Sequence, residues 1–105
     1  MRKFYLASDS RARKELLNIL GLKFKVLPSR IKEISSSGKL TYPEVVKRNA
    51  LKKAREASSR IKDGVVIAAD TIVVQGNTVY GKPKDLSDAR RMLKKLSQKP
   101  QWIYT

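Results

Sequence analysis

The chain contains no cysteine and no histidine, and each absence removes a class of chemistry. Without cysteine there is no disulfide scaffold, no thiolate nucleophile and no thiolate zinc site. Without histidine there is no Ser-His or Cys-His pair to activate a nucleophile. Acids are scarce as well: 9 Asp and Glu stand against 24 Lys and Arg, a balance of +15 that draws the chain toward polyanions, whether nucleotides, nucleic acid or acidic membrane surface. No apolar run is long enough to span a bilayer, and Phe4-Tyr5-Leu6-Ala7 is too short for a signal peptide, so a cytoplasmic protein without a membrane partner is the expectation. Any catalysis must run on carboxylates, lysines, hydroxyls or a recruited metal ion.

The 105 residues, with 41% hydrophobic content, suit a single domain spanning 1–105. Phe4 to Ala7 reads as a buried strand, followed by a helix that Ser10 caps, Leu16, Leu17 and Leu20 face, and Gly21 ends. Lys23 to Leu27 alternates, with Phe24 and Val26 on one face of a second strand, and residues 35–39 have loop composition. Thr41 and Glu44 form a capping box with Pro43 in the first turn; the helix they open is predicted to bury Val46, Ala50, Ala54, Ala57 and Ile61 and to stop at Asp63-Gly64. Val65 to Val74 reads as one central strand buried on both faces, and Gln75-Gly76-Asn77 turns it into a hairpin with Thr78 to Tyr80. Asp85 caps a third helix faced by Leu86, Ala89, Leu93 and Leu96, and Trp102 to Thr105 is a last strand. The alternation predicts an α/β fold, a mixed twisted sheet with flanking helices. A final strand with nothing after it to cover it reads as the edge of a truncated sheet.

The acids are few enough to sort. Glu44, Asp85 and Asp88 fit helix starts, Glu15 and Glu56 solvated helix faces, and Asp63 a turn, which leaves Asp9, Glu33 and Asp70. Asp70 sits inside Val-Val-Ile-Ala-Ala-Asp-Thr-Ile-Val-Val, where an unpartnered carboxylate costs several kcal/mol of desolvation unless it is paired, metal-bound or protonated. It is either a functional carboxylate or a buried tie to a neighbouring loop. The first helix opens Ser10-Arg11-Ala12-Arg13-Lys14, three cations where the helix dipole is already positive, so an anion there relieves the repulsion; a solvated basic turn is the alternative. Lys53 shares a helical stripe with Ala50 and Ala57, and snorkelling is the commoner explanation for such a lysine. Lys82, between Gly81 and Pro83, is a cation on stiff backbone or a plain loop lysine.

Taken in order, Leu6-Ala7-Ser8-x-Ser10-x-x-Arg13-x-Glu15-Leu16-Leu17, Ala50-x-x-Lys53-Ala54, Ala69-Asp70-Thr71, Gly81-Lys82-Pro83 and Ala89-x-x-Met92-Leu93-x-x-Leu96-Ser97 resemble the Maf-like nucleotide pyrophosphatase family. The match runs through the whole chain but corresponds to the N-terminal half of a usual member. The resemblance implies a Maf/ITPase-like fold and a nucleoside triphosphate pyrophosphatase that releases nucleoside monophosphate and pyrophosphate with a divalent metal, Mg2+ or Mn2+. It further implies dTTP/UTP-type substrates and a homodimer. On it, Asp70 matches the proton acceptor, while Ser8, Arg13, Glu33, Lys53 and Lys82 surround the phosphates. Thr71 and Ala12 match positions tied to substrate choice. Asp70 and Glu33 would hold the metal, with Asp70 as base or as ligand. The sequence departs from the family pattern at Ser10-Arg11-Ala12-Arg13, where Ser-Pro-Arg-Arg is usual, and at Ser97-Gln98 and Gln101, where Ser-Gly and a histidine are common.

Two other readings compete. A basic nucleic-acid-binding module needs an exposed aromatic or a groove-reading helix, and Phe4, Tyr5, Phe24 and Trp102 fall mostly in strand patterns expected to be buried. An inactive half-domain would fold only by pairing its exposed sheet edge with another copy or another segment.

Overall fold

The computed structural model describes residues 2–33 and 38–105; of the loop expected at 35–39, residues 35–37 lie outside the described residues. Strands and helices alternate as β1 (Phe4–Leu6), α1 (Arg11–Ile19), β2 (Lys25–Val26), α2 (Tyr42–Ser58), β3 (Val65–Ile67), β4 (Ile72–Gln75), β5 (Thr78–Tyr80), α3 (Leu86–Leu96) and β6 (Trp102–Tyr104). The fold is α/β.

Each helix starts where its capping chemistry dictates. Ser10 Oγ accepts from the Arg13 amide, Thr41 and Glu44 complete a reciprocal capping box, and the Asp85 carboxylate accepts from the Asp88 amide, each cap contributing about 1 kcal/mol. Gly21, at φ +76°, takes the left-handed position just past α1. Gly64 is needed for a different reason: at φ +133° a Cβ there would lie 2.8 Å from the Lys3 carbonyl oxygen and from the Tyr5 ring, where the chain re-enters the sheet beside β1.

Parallel and antiparallel pairing both occur, in separate sheets. β1 lies between β2 and β3, all parallel, and β4 lies between β5 and β6, antiparallel to both. The apolar run from Val65 to Val74 is therefore not one central strand. It divides into β3 and β4, and residues 68–71 carry the chain from one sheet to the other. Apolar character alone could not reveal the break, because both halves are apolar; the small Ala68 and Ala69 and the charged Asp70 mark it.

Helix α2 packs against β3 of the first sheet and β6 of the second. It buries Val45, Val46, Asn49, Lys53 and Ala57, so its inner face includes two polar residues, while the expected Ala50 and Ala54 are only half-buried and Ile61 lies beyond the helix end. Val46, Ile72 and Val74 form a core with Tyr42, Val79 and Tyr104 against it, and the Tyr42 and Tyr104 rings meet at 5.6 Å. Beside β3 in the first sheet, Leu6 and the following Ala7 are sealed from solvent. Full burial of a side chain such as Leu6 or Val45 contributes roughly 1.5–3 kcal/mol.

Helices α1 and α3 bury no residue. Leu16, Leu20, Leu86 and Leu93 face solvent, and so do Trp102 at 71% exposure and its neighbour Ile103, contrary to the expected burial of Trp102: the strand pattern gives β6 its conformation but no partner for its faces there. The chain exposes 8142 Å², against roughly 6,000 Å² for a compact monomer of this mass. No helix among the described residues is long and apolar enough to cross a membrane.

Candidate functional site

The C-terminal ends of parallel strands are where α/β sheets collect ligands, because backbone groups and loop side chains converge there free of the ladder. At that edge β1 runs into Ser8 and β3 runs into Ala68, with the Ala7 amide donating to the Ile67 carbonyl at 2.8 Å as the last rung. Ser8 is buried, and its Oγ accepts from the Ser10 amide at 3.1 Å and from Arg13 Nη1 at 3.3 Å. The turn between β1 and α1 is thereby closed on itself, with Arg13 folded back over it. Arg13 Nη2 then donates to Thr71 Oγ1 at 3.0 Å, tying the start of α1 to the residue after Asp70.

Asp70 is 4% exposed. Its charge is held by two residues from one face of α2: Asn49 Nδ2 donates to Oδ2 at 2.8 Å, and the Lys53 ammonium lies 3.5 Å from Oδ1. Lys53 does not snorkel. Its ammonium also donates to the Ala69 carbonyl at 3.2 Å and forms an ion pair with Glu33. The three N–H groups of one buried ammonium thus face three oxygens, which is how a buried charge is made tolerable. Snorkelling fails because the α2 face points at the 68–70 linker, where oxygens rather than water stand at the reach of the side chain.

Of the three acids left over in the sequence, Glu33 and Asp70 meet on Lys53, whereas Asp9 is exposed and pairs locally with Lys14 at 3.1 Å. Ser8, Arg13 and Thr71 form one hydrogen-bonded set and Glu33, Lys53 and Asp70 another, and the two meet where Asp70 and Thr71 adjoin in the chain. Lys82 is exposed; the antiparallel register of Val73 with Tyr80 carries it toward the Asp70 end of β4, but no hydrogen bond or ion pair links it to the group among the described residues. A cleft of about 620 Å³ opens on Asp70 between α2, at Val46 and Ala50, and the end of β6, at Tyr104 and Thr105.

Two residues of the site were not evident from the pattern. Asn49 falls at helical spacing between Val46 and Lys53, and a polar amide on an otherwise apolar stripe was the signal for it. Glu56, which reads as a solvated helix residue, instead accepts from the Arg30 amide at 2.7 Å while Arg60 forks onto it and donates to the Pro28 carbonyl at 2.7 Å. Those contacts fix the strand-to-loop segment that delivers Glu33. The Arg60 guanidinium, followed by the Arg30 amide, holds the Glu56 carboxyl below its ordinary range. The i,i+4 spacing to Arg60 is a local signal, but the Arg30 amide, 26 residues away, is not one the sequence could show.

Glu33 Oε1, Asp70 Oδ1 and the Ala69 carbonyl are oxygens of the kind a hard divalent cation takes, and here they converge on the Lys53 ammonium. Glu33 and Asp70 are carboxylates beside the Ala69 carbonyl, and no group of three or more His, Cys, Asp or Glu is arranged as a metal cage among the described residues. Mg2+ is commonly held by one or two carboxylates together with water and substrate phosphates, rather than by an all-protein cage.

Comparison with known protein families matches residues 3–105 to the family described as Maf-like protein. The chain belongs to the Maf-like family. Among curated relatives, a dTTP/UTP pyrophosphatase of Ruminiclostridium cellulolyticum is 41% identical over 105 residues, covering 100% of this chain and 54% of the relative. One of Aquifex aeolicus is 46% identical over 102 residues, covering 95% and 52%, and one of Bacillus cytotoxicus is 40% identical over 106 residues, covering 100% and 54%. The chain spans about half the length of the curated relatives it matches. Of the motif residues, Ser8, Arg13, Lys53, Asp70 and Thr71 lie together at this edge.

Proposed function

We propose that the chain carries the phosphate-handling part of a nucleoside triphosphate pyrophosphatase acting on dTTP/UTP-type substrates. The observation that supports this most is the buried Asp70, clamped by Asn49 and Lys53 and facing Glu33 across the same ammonium, next to Thr71, which Arg13 ties to the turn at Ser8 and the start of α1. Arg13 and Lys53 offset Asp70 and Glu33, so the group is close to neutral before a polyanion arrives.

Hydrolysis of a phosphoanhydride depends mainly on placement and charge stabilisation. In our reading Ser8, Arg13 and the α1 N-terminus bind phosphate oxygens, with Lys82 joining them from the β5 end of the sheet. Asp70 takes the proton of the attacking water. The water oxygen bonds to the α phosphorus, the bond to the α-β bridging oxygen breaks, and pyrophosphate leaves with that oxygen. Thr71, held by Arg13, orients the substrate at the neighbouring position. Asp70 and Glu33 are the residues that would hold Mg2+ or Mn2+, and a cation bound there supplies charge neutralisation for the triphosphate. Lys53 keeps both carboxylates aligned and offsets charge as the phosphates approach.

The test is direct. Incubated with a panel of nucleoside triphosphates and Mg2+, the 105-residue chain should release pyrophosphate, most from dTTP and UTP. Orthophosphate as the product, or no product from any of them, contradicts the proposal. The family resemblance also leads us to propose a homodimer, which a sedimentation mass of one chain would refute.

A further inference from the structure

We propose that Asn49 is a positioning residue for Asp70: a donor without charge that fixes Oδ2 and so holds Oδ1 on the side of Lys53 and Glu33. This deepens the hydrolase reading and rests on it for the role of Asp70.

Asn49 has no exposed surface and lies one helical turn before Lys53, on the same face of α2. The two side chains divide the Asp70 carboxylate between them, Asn49 on Oδ2 and Lys53 on Oδ1. The end of the amide facing Asp70 must be the NH2 group, because an ionised carboxylate only accepts. With Oδ2 committed, rotation of the carboxylate about its terminal bond is restricted, and Oδ1 is the oxygen left facing Lys53 and Glu33.

Charge explains why an amide suits this place. Asp70, Glu33 and Lys53 sum to one net negative charge at the point where they meet. Lysine or arginine in place of Asn49 would cancel that charge and weaken the pull on a divalent cation. Aspartate would face Asp70 with a second acceptor, and leucine would leave Oδ2 buried without a donor. Asparagine is also a weaker helix former than alanine or leucine, so local propensity does not account for it in the middle of α2. An orienting donor is needed that does not neutralise, and among side chains of this length the amide supplies it.

The experiment compares Asn49→Leu with the unmodified 105-residue chain, reading Mn2+ affinity by electron paramagnetic resonance and, separately, kcat and KM for dTTP at saturating Mn2+. Loss of an outer-shell partner should weaken Mn2+ binding about ten- to a hundred-fold. The same variant should lower kcat by a similar factor while KM changes by less than about threefold, as for a group acting on the transition state. A purely structural role would lower the folded fraction and leave both values unchanged per folded molecule. Equal Mn2+ affinities in the two proteins, including no binding to either, overturn the proposal. If the leucine variant does not fold, Asn49→Ser is compared with Asn49→Ala: both open a cavity and only serine keeps a donor. Serine should bind Mn2+ more tightly than alanine, and equality between them overturns the proposal as well. An unmodified chain that binds Mn2+ yet turns over no nucleotide sinks the hydrolase reading instead, and the Mn2+ comparison still judges Asn49.

Discussion

Helix α2 and helices α1 and α3 are written in the same amphipathic language and end in opposite situations. α2 buries Val45, Val46, Asn49, Lys53 and Ala57 against two sheets, while α1 and α3 bury nothing, leaving Leu16 at 60% and Leu93 at 68% exposure. Periodicity fixes which face of a helix is apolar; it does not say what lies opposite. The polar site coincides with the packed region because a buried carboxylate needs surroundings rigid enough to hold its partners in place, and an exposed helix face supplies none.

Substitutions should reproduce that contrast. The largest stability effect is expected at Lys53→Met, which strands Asp70 among buried groups with only the Asn49 amide; breaking a buried pair from one side costs about 3–5 kcal/mol. Adding Asp70→Asn to that variant should restore much of the loss in chemical denaturation, and no recovery would mean that Lys53 packs rather than pairs. Next comes Leu6→Ala in β1, 1% exposed, which should cost about 2–5 kcal/mol. The matched change on the other side, Leu93→Ala in α3, should stay within about 0.5 kcal/mol. Equal losses at Leu6 and Leu93 would show that α3 is covered in solution and erase the comparison.

The smallest effect concerns pH. The Glu56 carboxyl is held below its ordinary range in the folded chain, chiefly by Arg60 and then by the Arg30 amide, so its contribution is present above the unfolded-state pKa and is lost as pH falls through the lower folded-state value. Glu56→Gln should therefore destabilise the chain slightly at neutral pH and flatten its acid unfolding curve. An unchanged slope between neutral pH and the acid transition would detach this tether from the segment bearing Glu33.

Much of this was legible in advance, for local reasons. Ser10, Thr41 with Glu44, and Asp85 each open a helix through contacts within three residues, and Gly76-Asn77 turns β4 into β5. Asp70 was visible because a lone acid in an apolar run has few explanations. The rest depended on long-range placement. The division of Val65 to Val74 into two strands is set by which neighbours pair with each half, and the inward aim of Lys53 is set by oxygens on residues 33, 69 and 70. The exposure of Trp102 likewise follows from the absence of an element over that face of β6 among the described residues.

The central claim is that Asp70 survives in its buried position as the proton acceptor of phosphoanhydride hydrolysis. Asp70→Asn keeps the shape and the space, and the Asn49 amide can still donate to its carbonyl oxygen. Pyrophosphate release from dTTP or UTP with Mg2+ should fall at least about a hundred-fold in a variant that folds normally, as expected for loss of a general base. Turnover retained at the unmodified rate would remove Asp70 from the chemistry and leave it a structural tie between the two sheets.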